Sequence, residues 1–438
     1  MPNRIVLSIS ALALPLLLVA GGYAVTHRAP KIRGVEADTI PLANNARREC
    51  ERVDAAQRQS CYERILVDLA GTRGVRVAMG TLNALAQQDA TIKGEGHVYA
   101  HAIGIFAGRG QRDVARQFAA CTEILQSGCY HGVIQSYFEG MASVDTSNVN
   151  ALCRPFGGGT QQWLNFQCAH GMGHGLMMVY RNDLPLALGG CDLVQDSWIR
   201  ESCYGGAFME NIVSATVPHH PASRLAAGAD SAKAGGHEHG GGHDHHGGGA
   251  AAPAVMANRP PWKALDSLDM HYPCNAVGER YQTQCYMMQT SIVMRFTNGN
   301  VDSSAAMCLT APGSMKYVCA QSLGRDIVSW TREDYAESRR KCAVVADEYE
   351  PWCHIGVTKN LIDVTARPGD GISYCRDVEG DANRLKCFEA VGEQIANLFH
   401  QADQRRQACA PSGSYVQACE FGAQVNFRRP QGLPRERT

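Results

Sequence analysis

Eighteen cysteines constrain this chain more than any other feature, because they fall into nine neighbouring pairs with none left over: 50/61, 121/129, 153/168, 191/203, 274/285, 308/319, 342/353, 375/387 and 409/419. The second members step along the chain by 68, 39, 35, 82, 34, 34, 34 and 32 residues, which sets a repeating unit of 34. The step of 68 spans two units and hides one without cysteine, whose reference position by this spacing is Glu95. The step of 82 is one unit plus an insertion of 48 residues. Periods of this size build α-solenoids, in which stacked helix pairs bury a continuous core that no single pair could form.

The pattern inside the unit is helical. Counting from the second cysteine as position C, residues C+4 and C+8 are mostly apolar: Ile65 and Leu69, Val133 and Tyr137, Met172 and Leu176, Leu323 and Ile327, Val357 and Leu361, Val391 and Ile395. Steps of four put these residues and the cysteine on one stripe. The unit after Cys203 departs from this with Ala207 and Asn211. A shorter helix carries the first cysteine, as in DVARQFAAC, DLPLALGGC and DYAESRRKC, each opening on an Asp suited to an N-cap. The expected fold is all-α: a solenoid of about ten helical hairpins, nine of them stapled by one disulfide, with local pairing inferred because sequence alone does not fix connectivity.

The segment ACTEILQSGCYHGVIQSYFEG resembles the disulfide-stapled, tetratricopeptide-related repeats of secreted bacterial cysteine-rich proteins, which place one Cys on each helix of a hairpin. The likeness covers most of residues 45–425 as architecture and is specific in that one unit. It implies an extracytoplasmic solenoid that binds partners, and it implies no chemistry.

Compartment follows from the same cysteines, since a folded disulfide array needs an oxidising environment. Residues 5–25 run for 21 positions without a charge, long enough to span a bilayer. No lipoprotein Cys and no strong A-x-A site follows, so the reading is an uncleaved anchor, with a secreted protein after signal cleavage as the alternative. Arg28, Lys31 and Arg33 beyond the segment against Arg4 before it oppose this orientation by the positive-inside rule; the cysteines outweigh them. A near balance of 41 basic and 42 acidic residues gives no pull toward nucleic acid. The expected organisation is 1–33 anchor or signal, 34–214 N-terminal array, 215–262 linker, 263–428 C-terminal array and 429–438 tail, placed in the periplasm or on the cell surface.

The linker is rich in Gly, Ala and His and cannot bury a core. His237, His239, His243, His245 and His246 make it a labile metal chelator. The histidines on the scaffold are sharper. With Glu95 as reference, position C+2 holds His97, His131 and His170, and C+6 holds His101, Gln135 and His174. Histidines at i and i+4 share a helix face, the usual way for one helix to supply two ligands. This face lies opposite the apolar stripe and is expected to line a concave groove. Met209 at C+6 of the next unit adds a thioether, and Glu139 and Glu210 are candidate general bases or partners that orient a ligand.

All cysteines are paired, which disfavours a thiolate site, and no CxxCH occurs for covalent haem. Imidazole ligation points to zinc or copper, with iron or noncovalent haem as further options. The leading reading is a membrane-anchored, extracytoplasmic metal-binding repeat protein whose His-rich tether captures metal. The alternatives are a hydrolytic or oxidative metalloenzyme on the same histidines, and a metal-free interaction scaffold whose groove takes a peptide, cell-wall or membrane-protein partner.

Overall fold

The computed structural model describes residues 33–110, 113–139, 144–157, 162–216 and 260–436. The candidate anchor at 5–25 and the linker histidines lie outside these residues. The described chain is helical and built of hairpins packed in sequence order. They are α1 (Arg33–Cys50) with α2 (Ala55–Arg73), α3 (Val75–Gln88) with α4 (Ala90–Gly108), α5 (Val114–Phe118) with α6 (Gly128–Glu139), α7 (Thr146–Leu152) with α8 (Gln162–Val179), and α9 (Leu184–Cys191) with α10 (Ser197–Thr216). After the linker come α11 (Gln282–Phe296), α12 (Val301–Leu309) with α13 (Met315–Trp330), α14 (Tyr335–Cys342) with α15 (Glu350–Thr365), α16 (Pro368–Arg376) with α17 (Asp381–Leu398), and α18 (Ala402–Cys409) with α19 (Val416–Gly422). Among the described residues no helix is long and apolar enough to cross a membrane.

The cysteines pair as neighbours throughout, closing sequence separations of 8 to 15 residues. Each staple is worth about 2–3 kcal/mol in the chain-entropy account. The expected caps are in place: the side chains of Asp113, Asp183 and Asp334 accept hydrogen bonds from the Arg116, Leu186 and Glu337 amides at 3.1, 3.1 and 2.9 Å. The longer second helices pack on one another, α4 on α6, α6 on α8 and α8 on α10, and again from α11 through α13, α15 and α17 to α19.

Glycine lets these second helices approach backbone to backbone. A Cβ on Gly173 would fall on the Cys203 carbonyl, and one on Gly206 would fall on the His170 carbonyl. The same reciprocal contact joins Gly104 to Cys129 and Gly132 to His101. This equivalence corrects the register of the unit without cysteine. Gly173 is C+5 of its repeat, so Gly104 makes Tyr99, not Glu95, the counterpart of the second cysteine. Tyr99 is 1% exposed, packs edge-on against Tyr62 at 6.2 Å and donates to Glu95 at 2.7 Å. A buried aromatic fills the place of the staple, and spacing alone had put the reference one helical turn too early.

The insertion interrupts the sequence but not the packing. Phe208 and Ile212 of α10 share a core with Cys274, Cys285 and Ile292. Trp262 Nε1 donates to Asn211 Oδ1 at 3.1 Å, Asn211 Nδ2 donates to the Ala264 carbonyl at 3.0 Å, and Tyr281 donates to Asp192 at 2.7 Å. The later repeats then curl back on the second to fourth hairpins. Lys93 pairs with Glu333 at 2.5 Å, the Leu125 amide donates to the Val364 carbonyl at 3.3 Å, Gln126 Nε2 donates to Asn360 Oδ1 at 2.8 Å, and α8 touches α17. The second helices thus line the inside of a closed superhelix. The expected tail also folds back, with Trp352 Nε1 donating to Glu436 at 3.3 Å.

Candidate metal centre

Three adjacent inner helices carry the histidines. His97 and His101 stand one turn apart on α4 with ring centroids 4.6 Å apart. His131 on α6 lies 5.3 Å from His97 and 5.5 Å from His101. His174 on α8 lies 4.8 Å from His101 and 5.3 Å from His131. One ring nitrogen from each of these four falls within 4.8 Å of all the others. Around a tetrahedral ion with nitrogen–metal distances of about 2 Å, ligand nitrogens are roughly 3.3 Å apart, so small ring movements complete the sphere.

Each imidazole is held from behind. His97 Nδ1 lies 3.1 Å from the Leu125 carbonyl, His101 Nδ1 3.3 Å from Gln135 Oε1, His131 Nε2 2.8 Å from Gln167 Oε1 and His174 Nδ1 2.7 Å from Glu210 Oε2. An oxygen acceptor on one ring nitrogen fixes the proton there and leaves the other nitrogen with a lone pair. That is the outer-shell arrangement that orients metal-ligating histidines. His97 Nε2, His131 Nδ1 and His174 Nε2 are buried without a hydrogen-bond partner. Three unsatisfied buried nitrogens at one point are costly unless something binds them.

Electrostatics favours the neutral, ligating form. Burial, followed by the neighbouring His174, lowers the His97 imidazole to about 4. Burial and the other imidazoles hold His131 and His170 well below the ordinary histidine range. An imidazole held neutral, as His97 and His131 are, has no proton to lose from its ligating nitrogen when a cation enters.

Several expectations change here. The histidines do not line an open groove: His101, His131 and His174 are at most 3% exposed. The converging set has four members. His170 is the packing counterpart of His101 and His131, and its ring lies 4.8 Å from His131. Yet it faces Phe166 at 5.8 Å and the close-packed Gly205, and it stands outside the set that converges. Met209 is half-buried and packs against the apolar core. Glu139 closes α6, and its side chain is not among those described. Glu210, 1% exposed and bound to His174, orients a ligand. His354 and His271 have partners of their own, Tyr374 for the first and Tyr286 with Thr310 for the second.

The backing groups Gln167 and Leu125 escaped sequence reasoning, and Gln135 was noted only as a gap in the ladder. A signal existed: the acceptors behind His101, His131 and His174 lie 34, 36 and 36 residues downstream, one repeat along the inner face. No family model, curated protein or solved structure matches this chain.

Proposed function

We propose that the protein binds one transition-metal ion, zinc or copper, through His97, His101, His131 and His174, and that it works outside the cytoplasm in metal homeostasis or delivery. The observation that carries this reading is the convergence of four ring nitrogens within 4.8 Å of one another, each imidazole backed by an oxygen acceptor. Nine disulfides support an oxidising compartment. Four imidazoles saturate a tetrahedral ion and leave no position for substrate or water, which favours storage or structural binding over hydrolysis. Rings packed 4.6–6.3 Å centroid to centroid favour a bare ion over a flat macrocycle. In this reading residues 5–25 anchor the chain, and the linker histidines capture metal before passing it to the buried site.

The test is elemental analysis of the full chain purified without an affinity tag, beside a variant with the five linker histidines changed to Ser. One equivalent of zinc or copper retained by the variant, and lost on His131→Ala, is the expected result. A variant that retains no metal after exposure to both ions refutes the buried site.

A further inference from the structure

Leu125, Gln126 and Ser127 run in succession through left-handed backbone, with φ of 56°, 56° and 60°. None is Gly or Asn, the residues that visit this region readily. The stretch lies inside the loop closed by Cys121–Cys129, the shortest disulfide separation described, so it has little room to relax. It faces two ways. Inward, the Leu125 carbonyl orients His97 at Nδ1, and the Leu125 side chain packs so tightly on α4 that a Cβ on Gly96 would meet it at 2.8 Å. Outward, the Leu125 amide donates to the Val364 carbonyl and Gln126 Nε2 donates to Asn360 Oδ1. Asn360 in turn donates to the Arg325 carbonyl at 2.9 Å. One strained peptide therefore positions a candidate metal ligand and also closes the superhelix between residues 234 apart in sequence.

We infer that metal binding at the four imidazoles and closure of the superhelix seam are coupled through Leu125–Ser127. This rests on the four-imidazole reading of the site. A left-handed run of ordinary residues persists only where contacts at both ends over-determine it. A bound ion fixes the His97 ring, the ring fixes the Leu125 carbonyl, and the same peptide presents its amide and the Gln126 side chain to α15. Without the ion one end is slack, and the seam opens more often. The coupling is reciprocal, so loosening the seam must weaken the site by the same factor. Metal occupancy is thereby converted into a change at the junction between the third hairpin and α15.

Hydrogen–deuterium exchange on the full chain lacking the linker histidines, with one equivalent of zinc or after chelator treatment, reads the seam directly. Zinc is expected to slow exchange at 125–127 and at 360–366. Gln126→Ala touches no imidazole; it is expected to keep the one-zinc stoichiometry, weaken zinc about five- to tenfold and abolish the protection at 360–366. Lys93→Ala, which cuts the Lys93–Glu333 pair, gives the same readout should Gln126→Ala not fold. Unchanged zinc affinity in the variant tested, or exchange at 360–366 indifferent to zinc, overturns the coupling while leaving the site intact. A parent chain that binds neither zinc nor copper overturns the reading of the site itself.

Discussion

The position six residues after the second cysteine of each repeat faces the inside of the superhelix, and the two halves of the molecule fill it differently. Toward the N-terminus it holds Gln135, His174 and Met209; toward the C-terminus it holds Ser291, Arg325, Lys359 and Glu393. The C-terminal residues satisfy one another. Arg325 pairs with Asp326 at 2.8 Å, Thr290 and Ser291 donate to the same carboxylate, Lys359 pairs with Glu393 at 2.6 Å, and Gln394 donates to Asp363 at 3.0 Å. Of the N-terminal histidines, His97, His131 and His174 each keep one buried ring nitrogen without a hydrogen-bond partner. One scaffold thus carries a self-neutralised inner face and an incomplete one. The incompleteness marks the site better than residue type does, because buried polar networks in native proteins are normally closed.

That contrast can be broken most directly at the rings. His131→Ala and His174→Ala are each expected to weaken zinc or copper by more than about 100-fold, since each of four imidazoles contributes several kcal/mol to a tetrahedral site. Competition against a chromophoric chelator measures this. Glu210→Gln keeps the ring but weakens its orientation, and is expected to cost roughly 10–100-fold.

Acid sharpens the comparison, because the halves respond with opposite sign. His97 is lowered to about 4, and His131 and His170 are also lowered, so between pH 4 and 6.5 the unfolded metal-free chain binds protons that the folded chain refuses. Stability therefore rises with pH across that window, by roughly 1 kcal/mol per unit from His97, with His131 and His170 acting in the same direction. Asp363 behaves oppositely: burial lifts its carboxyl to about 7 despite the Lys359 ammonium. Between pH 4 and 7 the folded chain keeps a proton that the unfolded chain has lost, and that contribution fades as pH rises. Asp363→Asn should steepen the rise between pH 4.5 and 6.5 by about 1 kcal/mol per unit, read from denaturant midpoints in chelator. The smallest expected effect is the control. Lys359→Met should change metal affinity by less than about twofold, because its partner Glu393 belongs to the closed network of the other half.

The scaffold was legible because the cysteines act as a ruler whose divisions coincide with hairpins. Spacing carries the period, and the Asp before each short helix marks its cap; local pairing is the reading the spacing favours. Spacing failed at the unit without cysteine, where extrapolation had to replace measurement and Tyr99 took the position assigned to Glu95. The histidines were legible as residue types on one helix face. Their burial, to 3% exposure or less at His101, His131 and His174, was not, because no local pattern encodes how neighbouring repeats pack. The reduction from five rings to four was equally hidden, since it turns on the Gly205–Gly206 surface that α10 presents to His170.

Nearest-neighbour pairing of the cysteines has a consequence for how the chain is made. Every staple closes within 8 to 15 residues, so each cysteine emerging from a translocation pore meets its partner next, before any competitor has appeared. Loops of that length close in about 10–100 ns, far faster than residues are delivered. Each cysteine therefore has its native partner as its nearest neighbour when an oxidant acts, with little demand for disulfide shuffling. Only the seam, which joins Lys93, Leu125 and Gln126 to Glu333, Val364 and Asn360, must wait for repeats made much later.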